Sequence, residues 1–188
     1  MRDLLRHLAG GDRRSIGQSD RVVRDVLARP SLLATVIGGL SHADVLVRMR
    51  CADAAEKVTR RHPQWLQPHK AALLALAATT AEQELRWHLA QMLPRLTLEP
   101  AETRRAIKWM FEYLNDDSKI VKTFAMQALA DFAACDPVLR GKVLPLLGTL
   151  ARTGSPAMRS RGRRLVARLR ALEQPPKRQH PRRRSRAD

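Results

Sequence analysis

Aromatic residues are scarce in this chain, 4% of its 188 positions. Strands favour β-branched and aromatic side chains, so this shortage, set beside recurring Ala and Leu, points to closely packed helices. Cysteine is nearly absent. Cys51 and Cys135 have no CxxC spacing and no histidine at metal-ligand distance, so they read as small core residues. Long apolar runs are missing as well: the longest, residues 71–78, covers about eight positions where a membrane helix needs roughly 20. Residues 1–10 alternate charge with leucine and lack the continuous apolar stretch of a secretory leader. A soluble, cytoplasmic protein with no membrane span is expected.

Catalytic signatures are equally thin. The sequence contains no HExxH, no GxSxG, no Gly-rich phosphate loop and no paired Cys/His cluster. His7, His42, His62, His69, His88 and His180 share no spacing, which makes surface or interhelical roles their default. Asp116 and Asp117 suit a helix cap better than a metal site. The expectation is a non-enzymatic protein with no catalytic residue, metal or cofactor.

What the chain does have is positive charge, unevenly spread. Of the formal +17, residues 1–151 contribute +6, from 22 Lys/Arg against 16 Asp/Glu. Residues 152–188 contribute +11, from 13 against 2. A terminal basic block of this kind meets nucleic acid, anionic lipid or an acidic protein surface, or only solubilises the chain. The candidate polyanion contacts are Arg159, Arg161, Arg163, Arg164 and Arg168, followed by Arg182, Arg183, Arg184 and Arg186. Beyond Leu172 the run EQPPKRQHPRRRSRAD has no apolar periodicity, and residues 173–188 read as a disordered basic tail.

Internal periodicity is the strongest signal. Four segments align on a basic residue that follows an apolar one: Arg48, Arg86, Lys122 and Arg159, spaced by 38, 36 and 37 residues. Three, six, seven and ten residues further on stand Cys51, Ala54, Ala55 and Val58 in the first unit. The same offsets give Leu89, Met92, Leu93 and Leu96, then Ala125, Ala128, Leu129 and Phe132, then Gly162, Leu165, Val166 and Leu169. All are apolar or small, and these offsets fall on one side of a helix. Four residues before each basic position, Asp44, Glu82, Ser118 and Ser155 supply a helix start. Another apolar helix precedes each start, at residues 31–39, 68–79, 101–114 and 137–152. Ile107, Met110, Phe111 and Leu114 show its amphipathic spacing. Pro63, Pro100, Pro137 and Pro156 lie near helix beginnings, where a missing amide costs little, whereas Pro94 and Pro145 are expected to kink helix interiors.

The segments VRMRCADAAEKV, LRWHLAQMLPRL, VKTFAMQALADF and MRSRGRRLVARL resemble the second helix of the HEAT repeat. The resemblance covers residues 31–170 and implies an all-α superhelix, a solenoid of about four helical hairpins. In that family such stacks mostly act as scaffolds for other macromolecules, and the repeated basic residue bridges to acidic or polar groups of adjacent turns. The expected organisation is an N-terminal capping segment over residues 1–30, with helices at 3–9 and 19–29, then the solenoid over 31–172 and the tail. In this arrangement Cys51 and Cys135 sit two repeats apart, roughly 16–20 Å, too far for a disulfide.

The face opposite the core lines the concave wall of such a solenoid. Its candidate partner-binding residues are Met49, Asp53, Arg60, Trp87, Gln91, Thr123, Gln127 and Arg164. Trp87 is the outward-facing aromatic, a contact anchor or a packing residue against Pro94, while Trp65 and Trp109 suit hairpin elbows. A monomeric scaffold that binds a protein partner is the leading expectation, and nucleic-acid binding through the basic C-terminal region is the alternative. A third reading follows from the resemblance: some bacterial DNA glycosylases are built from HEAT-like repeats and use tryptophans with a carboxylate, a pairing that Asp53 and Trp87 mimic.

Overall fold

The computed structural model describes residues 2–12 and 15–173. Among these residues all regular structure is helical and no strand occurs. The elements are α1 (Arg2–Arg6), α2 (Ser19–Ala28), α3 (Leu33–Gly38), α4 (Val45–Arg61), α5 (Lys70–Thr79), α6 (Gln83–Met92), α7 (Pro100–Tyr113), α8 (Lys119–Cys135), α9 (Pro137–Thr153) and α10 (Pro156–Ala171). Short 3-10 turns flank several of them, notably Pro63–His69, which leads into α5. No helix is long and apolar enough to cross a membrane among the described residues. Arg182, Arg183, Arg184 and Arg186, with the rest of the expected tail beyond residue 173, lie outside them.

The helix starts follow from local chemistry. Asp44 accepts from the Leu46 amide, Ser118 from Val121 and Ser155 from Met158, so three of the even-numbered helices begin on side-chain caps. Glu82 occupies the same position before α6 but makes no cap bond, because its carboxylate is held 2.8 Å from the Arg48 guanidinium. α7 opens on a reciprocal capping box between Glu99 and Glu102 with Pro100 at its first position. The two interior prolines behave differently. Pro94 ends α6 early, converting Leu93–Arg95 into a 3-10 turn, whereas Pro145 lies inside the continuous α9.

The even-numbered helices pack in series, α2 on α4, α4 on α6, α6 on α8 and α8 on α10. Behind them α3, α7 and α9 pack on α4, α8 and α10, and α5 packs on α7. The repeated offsets fill the space between: Cys51, Ala54, Ala55, Val58, Leu89, Met92, Leu93, Ala125, Ala128, Leu129, Leu165 and Leu169 are buried, while Phe132 and Val166 are partly covered. Each fully buried aliphatic contributes on the order of 1.5–3 kcal/mol, so this interleaved stripe outweighs the short caps as the source of stability. Gly162 is buried where a Cβ would stand 2.9 Å from the Ala151 Cβ, which lets α10 close tightly on α9. Cys135 departs from the expected core role. It ends α8 and is exposed, whereas Cys51 is buried, and burial pushes its thiol up to about 12.

The ladder of basic residues joins neighbouring units only in the first half. Arg48 pairs with Glu82, and Arg86 pairs with Asp116 at 2.6 Å while lying 5.3 Å above the Tyr113 ring. Lys122 and Arg159 make no such bridge among the described residues, since the unit after Lys122 begins at Gly154-Ser155 and offers no carboxylate there. At the N-terminal end, Val22 and Val26 of α2 bury against the stack, and Ser19 Oγ donates to Asp53 of α4 at 2.5 Å.

Candidate functional site

Because the even-numbered helices lie side by side, residues on their shared outer face meet along one groove. Its central cavity, about 560 Å³, is bounded by Glu56 and Arg60 of α4, Gln91 of α6, Pro94 and Arg95 just after it, Phe124, Gln127 and Asp131 of α8, and Arg161 of α10. Gln127 and Arg161 also border an adjoining cavity of about 350 Å³, completed by Arg164, Leu165 and Arg168. Toward α2 a third cavity, about 280 Å³, is walled by Met49, Asp53, Glu84, Trp87 and His88 together with Ser15 and Ile16 of the N-terminal segment. Seven of the eight concave-face candidates, Met49, Asp53, Arg60, Trp87, Gln91, Gln127 and Arg164, therefore line these cavities.

Thr123 is the exception and is corrected. It is buried, and its hydroxyl donates to the Lys119 carbonyl at 2.6 Å. The reason is the central place of α8, which is packed by α6, α7, α9 and α10, so an offset that reaches the surface on α4 is covered here.

The central cavity contains a buried carboxylate. Glu56 is 3% exposed and takes both Arg60 and Arg95, the latter at 2.6 Å. Burial pulls the Glu56 carboxyl upward, but the hydrogen bonds and charges of Arg60 and Arg95 outweigh it and hold the group below its ordinary value. Across the groove Gln127 donates its amide to Asp131 at 3.0 Å and accepts from Arg161 at 3.4 Å. Arg168 pairs with Asp131 at 2.6 Å. Arg161 lies 4.9 Å above the Phe124 ring, and burial, then the neighbouring Arg164, lower its guanidinium below the ordinary value while Asp131 pulls it back.

The α2 end is built differently. Arg50 is 1% exposed, and its guanidinium donates to the carbonyls of Leu8, Gly10, Asp12 and Ser15, tying the N-terminal segment over α4. Gly17, at φ +57°, passes so close that a Cβ there would stand 3.0 Å from this guanidinium. Asp53 is occupied by Ser19 and by Lys57 at 2.9 Å. Trp87 donates its indole N–H to His88 Nε2 at 3.1 Å, and His88 Nδ1 lies 2.7 Å from the Glu84 carbonyl. Burial lowers the His88 pKa, the direction that favours the neutral ring. Sequence reasoning missed Arg50, Phe124 and Asp131 as parts of this wall. Nothing in the pattern around Arg50 marks it as buried, whereas Asp131 sits one turn after Gln127 and was reachable from helical spacing.

The remaining polyanion candidates divide. Arg159 and Arg163 are exposed on α10 outside the cavities, while Arg161, Arg164 and Arg168 enter them. Trp65 stacks on His62 at 4.1 Å in the turn before α5, and Trp109 is half-buried against the core.

No family model matches the sequence, and no curated protein matches it. Among solved structures the chain is similar to an engineered protein from the Northeast Structural Genomics Consortium, with a TM-score of 0.61 at 14% sequence identity. The alignment covers 90% of this chain and 78% of that one. At this identity the two share a fold.

Proposed function

We propose that the chain is a HEAT-type helical-repeat solenoid and a non-enzymatic binding module whose groove receives a segment of a protein partner. The observation that carries this reading is the convergence of Arg60, Gln91, Gln127 and Arg164, one from each of α4, α6, α8 and α10, on adjoining cavities of one wall. The repeat spacing of 36–38 residues and the serial packing of the even-numbered helices support the solenoid. The wall mixes apolar surface from Pro94 and Phe124 with amide and charged groups, the composition of a protein-binding surface. A central cavity of about 560 Å³ also falls in the ordinary range of ligand sites, roughly 300–1,000 Å³.

The test is affinity capture under native conditions with the wild type and with Gln91→Trp, which plugs the centre of the groove. A stoichiometric partner bound by the wild type and lost from a variant of unchanged melting temperature is the expected result. A wild type that holds no such partner, together with turnover of a small substrate by the pure protein, refutes the reading.

Nucleic-acid binding is the second reading, favoured by the exposed Arg159, Arg163 and Arg170 of α10. Mobility shifts across a salt series test it, because each phosphate neutralised on duplex DNA lowers the log–log slope by about 0.9.

A further inference from the structure

We propose that the α8–α10 end of the groove is a socket for one carboxylate of the partner segment, held jointly by Arg161 and Arg164. This deepens the reading above and rests on it. The adjoining cavity, about 350 Å³, brings Arg161, Arg164 and Arg168 together, and of these three Arg168 is the one ion-paired to Asp131 among the described residues. Arg161 is half-buried over Phe124 with a single 3.4 Å hydrogen bond to Gln127 Oε1. Arg164 makes no ion pair among the described residues.

Gly162 explains why Arg161 stands inside the cavity. With no Cβ to meet Ala151 or, at 3.1 Å, the Met126 methyl, α10 presses onto α8 and α9 and carries the adjacent Arg161 inward. A guanidinium placed there has lost hydration and regained only one long hydrogen bond, so it gains from a ligand that accepts its remaining donors. Two guanidinium forks facing one cavity suit the two oxygens of a carboxylate, each bond being charge-assisted.

The rest of the groove selects among anions. Glu56 at the central cavity is matched by Arg60 and Arg95, Asp131 by Arg168, and Asp53 at the far one by Lys57, so Arg161 and Arg164 are left as cations of the wall with no ion pair among the described residues. A nucleic-acid strand, charged at every few ångströms, calls for a row of unmatched cations rather than one pair. A peptide presents one acidic side chain to the socket and apolar groups to Pro94 and Phe124.

The full-length protein is titrated with a rhodamine-labelled amphipathic peptide bearing glutamates along one edge, with its glutamine counterpart, and with a single-stranded oligonucleotide as competitor. The glutamate peptide is expected to bind more tightly than the glutamine one. Arg161→Gln and Arg164→Gln should each weaken it about tenfold, while Arg163→Gln, which lies outside the cavity, leaves it within about twofold. Arg164 is exposed, so its variant keeps the test valid even if Arg161→Gln disturbs packing against Phe124. Equal binding of both peptides, absence of binding by either, equal losses at Arg163 and Arg164, or stronger competition by the oligonucleotide than by unlabelled glutamate peptide overturns the socket. None of these results touches the groove reading, which is decided separately by partner loss in Gln91→Trp.

Discussion

Arg50 and Arg161 are the same residue type on the walls of one groove, yet they are treated in opposite ways. At the α2–α4 end Arg50 is 1% exposed and spends its guanidinium on four backbone carbonyls. At the α8–α10 end Arg161 is half-buried with one hydrogen bond of 3.4 Å. The same contrast runs through their neighbours. Glu56, Asp53, Arg48 and Arg86 are all matched by opposite charges, whereas Lys122, Arg159, Arg163 and Arg164 have no ion pair among the described residues. One half of the stack uses charge to hold itself together. The other half pairs Arg168 with Asp131 and leaves Arg159, Arg161, Arg163 and Arg164 without an ion pair among the described residues.

Substitutions that remove the matched charges should therefore cost stability, and those that remove the unmatched ones should cost binding. The largest effect is expected for Arg50→Met, which strips the donors from four carbonyls and releases the N-terminal segment. The loss should be roughly 3 kcal/mol or more by urea denaturation, with new amide exchange across residues 8–17. A loss under about 1 kcal/mol would mean that water replaces the guanidinium without penalty and that Arg50 is no clasp.

Next in size is Glu56→Gln, expected to destabilise by about 1–3 kcal/mol at neutral pH because Arg60 and Arg95 lose their shared acceptor. The sign with pH follows from the direction of the shift. Glu56 is held below its ordinary value in the folded state, so its contribution is full above the unfolded value of about 4.3 and disappears as pH falls through the lower folded one. The gap between wild type and variant should narrow on acidification below about pH 4, measured by denaturation at stepped pH. A gap independent of pH would assign the loss to packing alone.

The smallest stability effect belongs to the unmatched end. Arg163→Gln and Arg164→Gln should each leave the unfolding free energy within about 0.5 kcal/mol. A larger loss for either would show that the α10 arginines are structural after all and would erase the contrast between the two halves.

Much of the architecture was legible because its causes are local. Asp44, Ser118 and Ser155 cap the helices they precede, and the apolar offsets recur with helical spacing, so both signals survive without knowledge of the fold. The groove wall was legible for the same reason, since a helix with one buried stripe must turn the opposite face outward. That rule failed at Thr123, where neighbours surround α8 on several sides, and the core reading of Cys135 failed because the residue is exposed at the last position of α8. Pro94 was visible as a breaker, but whether it would bend α6 or end it depended on the chain that follows.

Periodicity and capping, encoded within a few turns of chain, determined by themselves that this protein is made of paired helices with a repeating apolar stripe. Only the tertiary structure decided which charges are spent and which remain. Arg50 and Arg161 look alike in sequence, and their fates differ because one meets four carbonyls from a segment about 40 residues away while the other, carried in beside Gly162, meets an aromatic ring and open space. The energy of a charge depends on what surrounds it in three dimensions, and those surroundings come from distant chain.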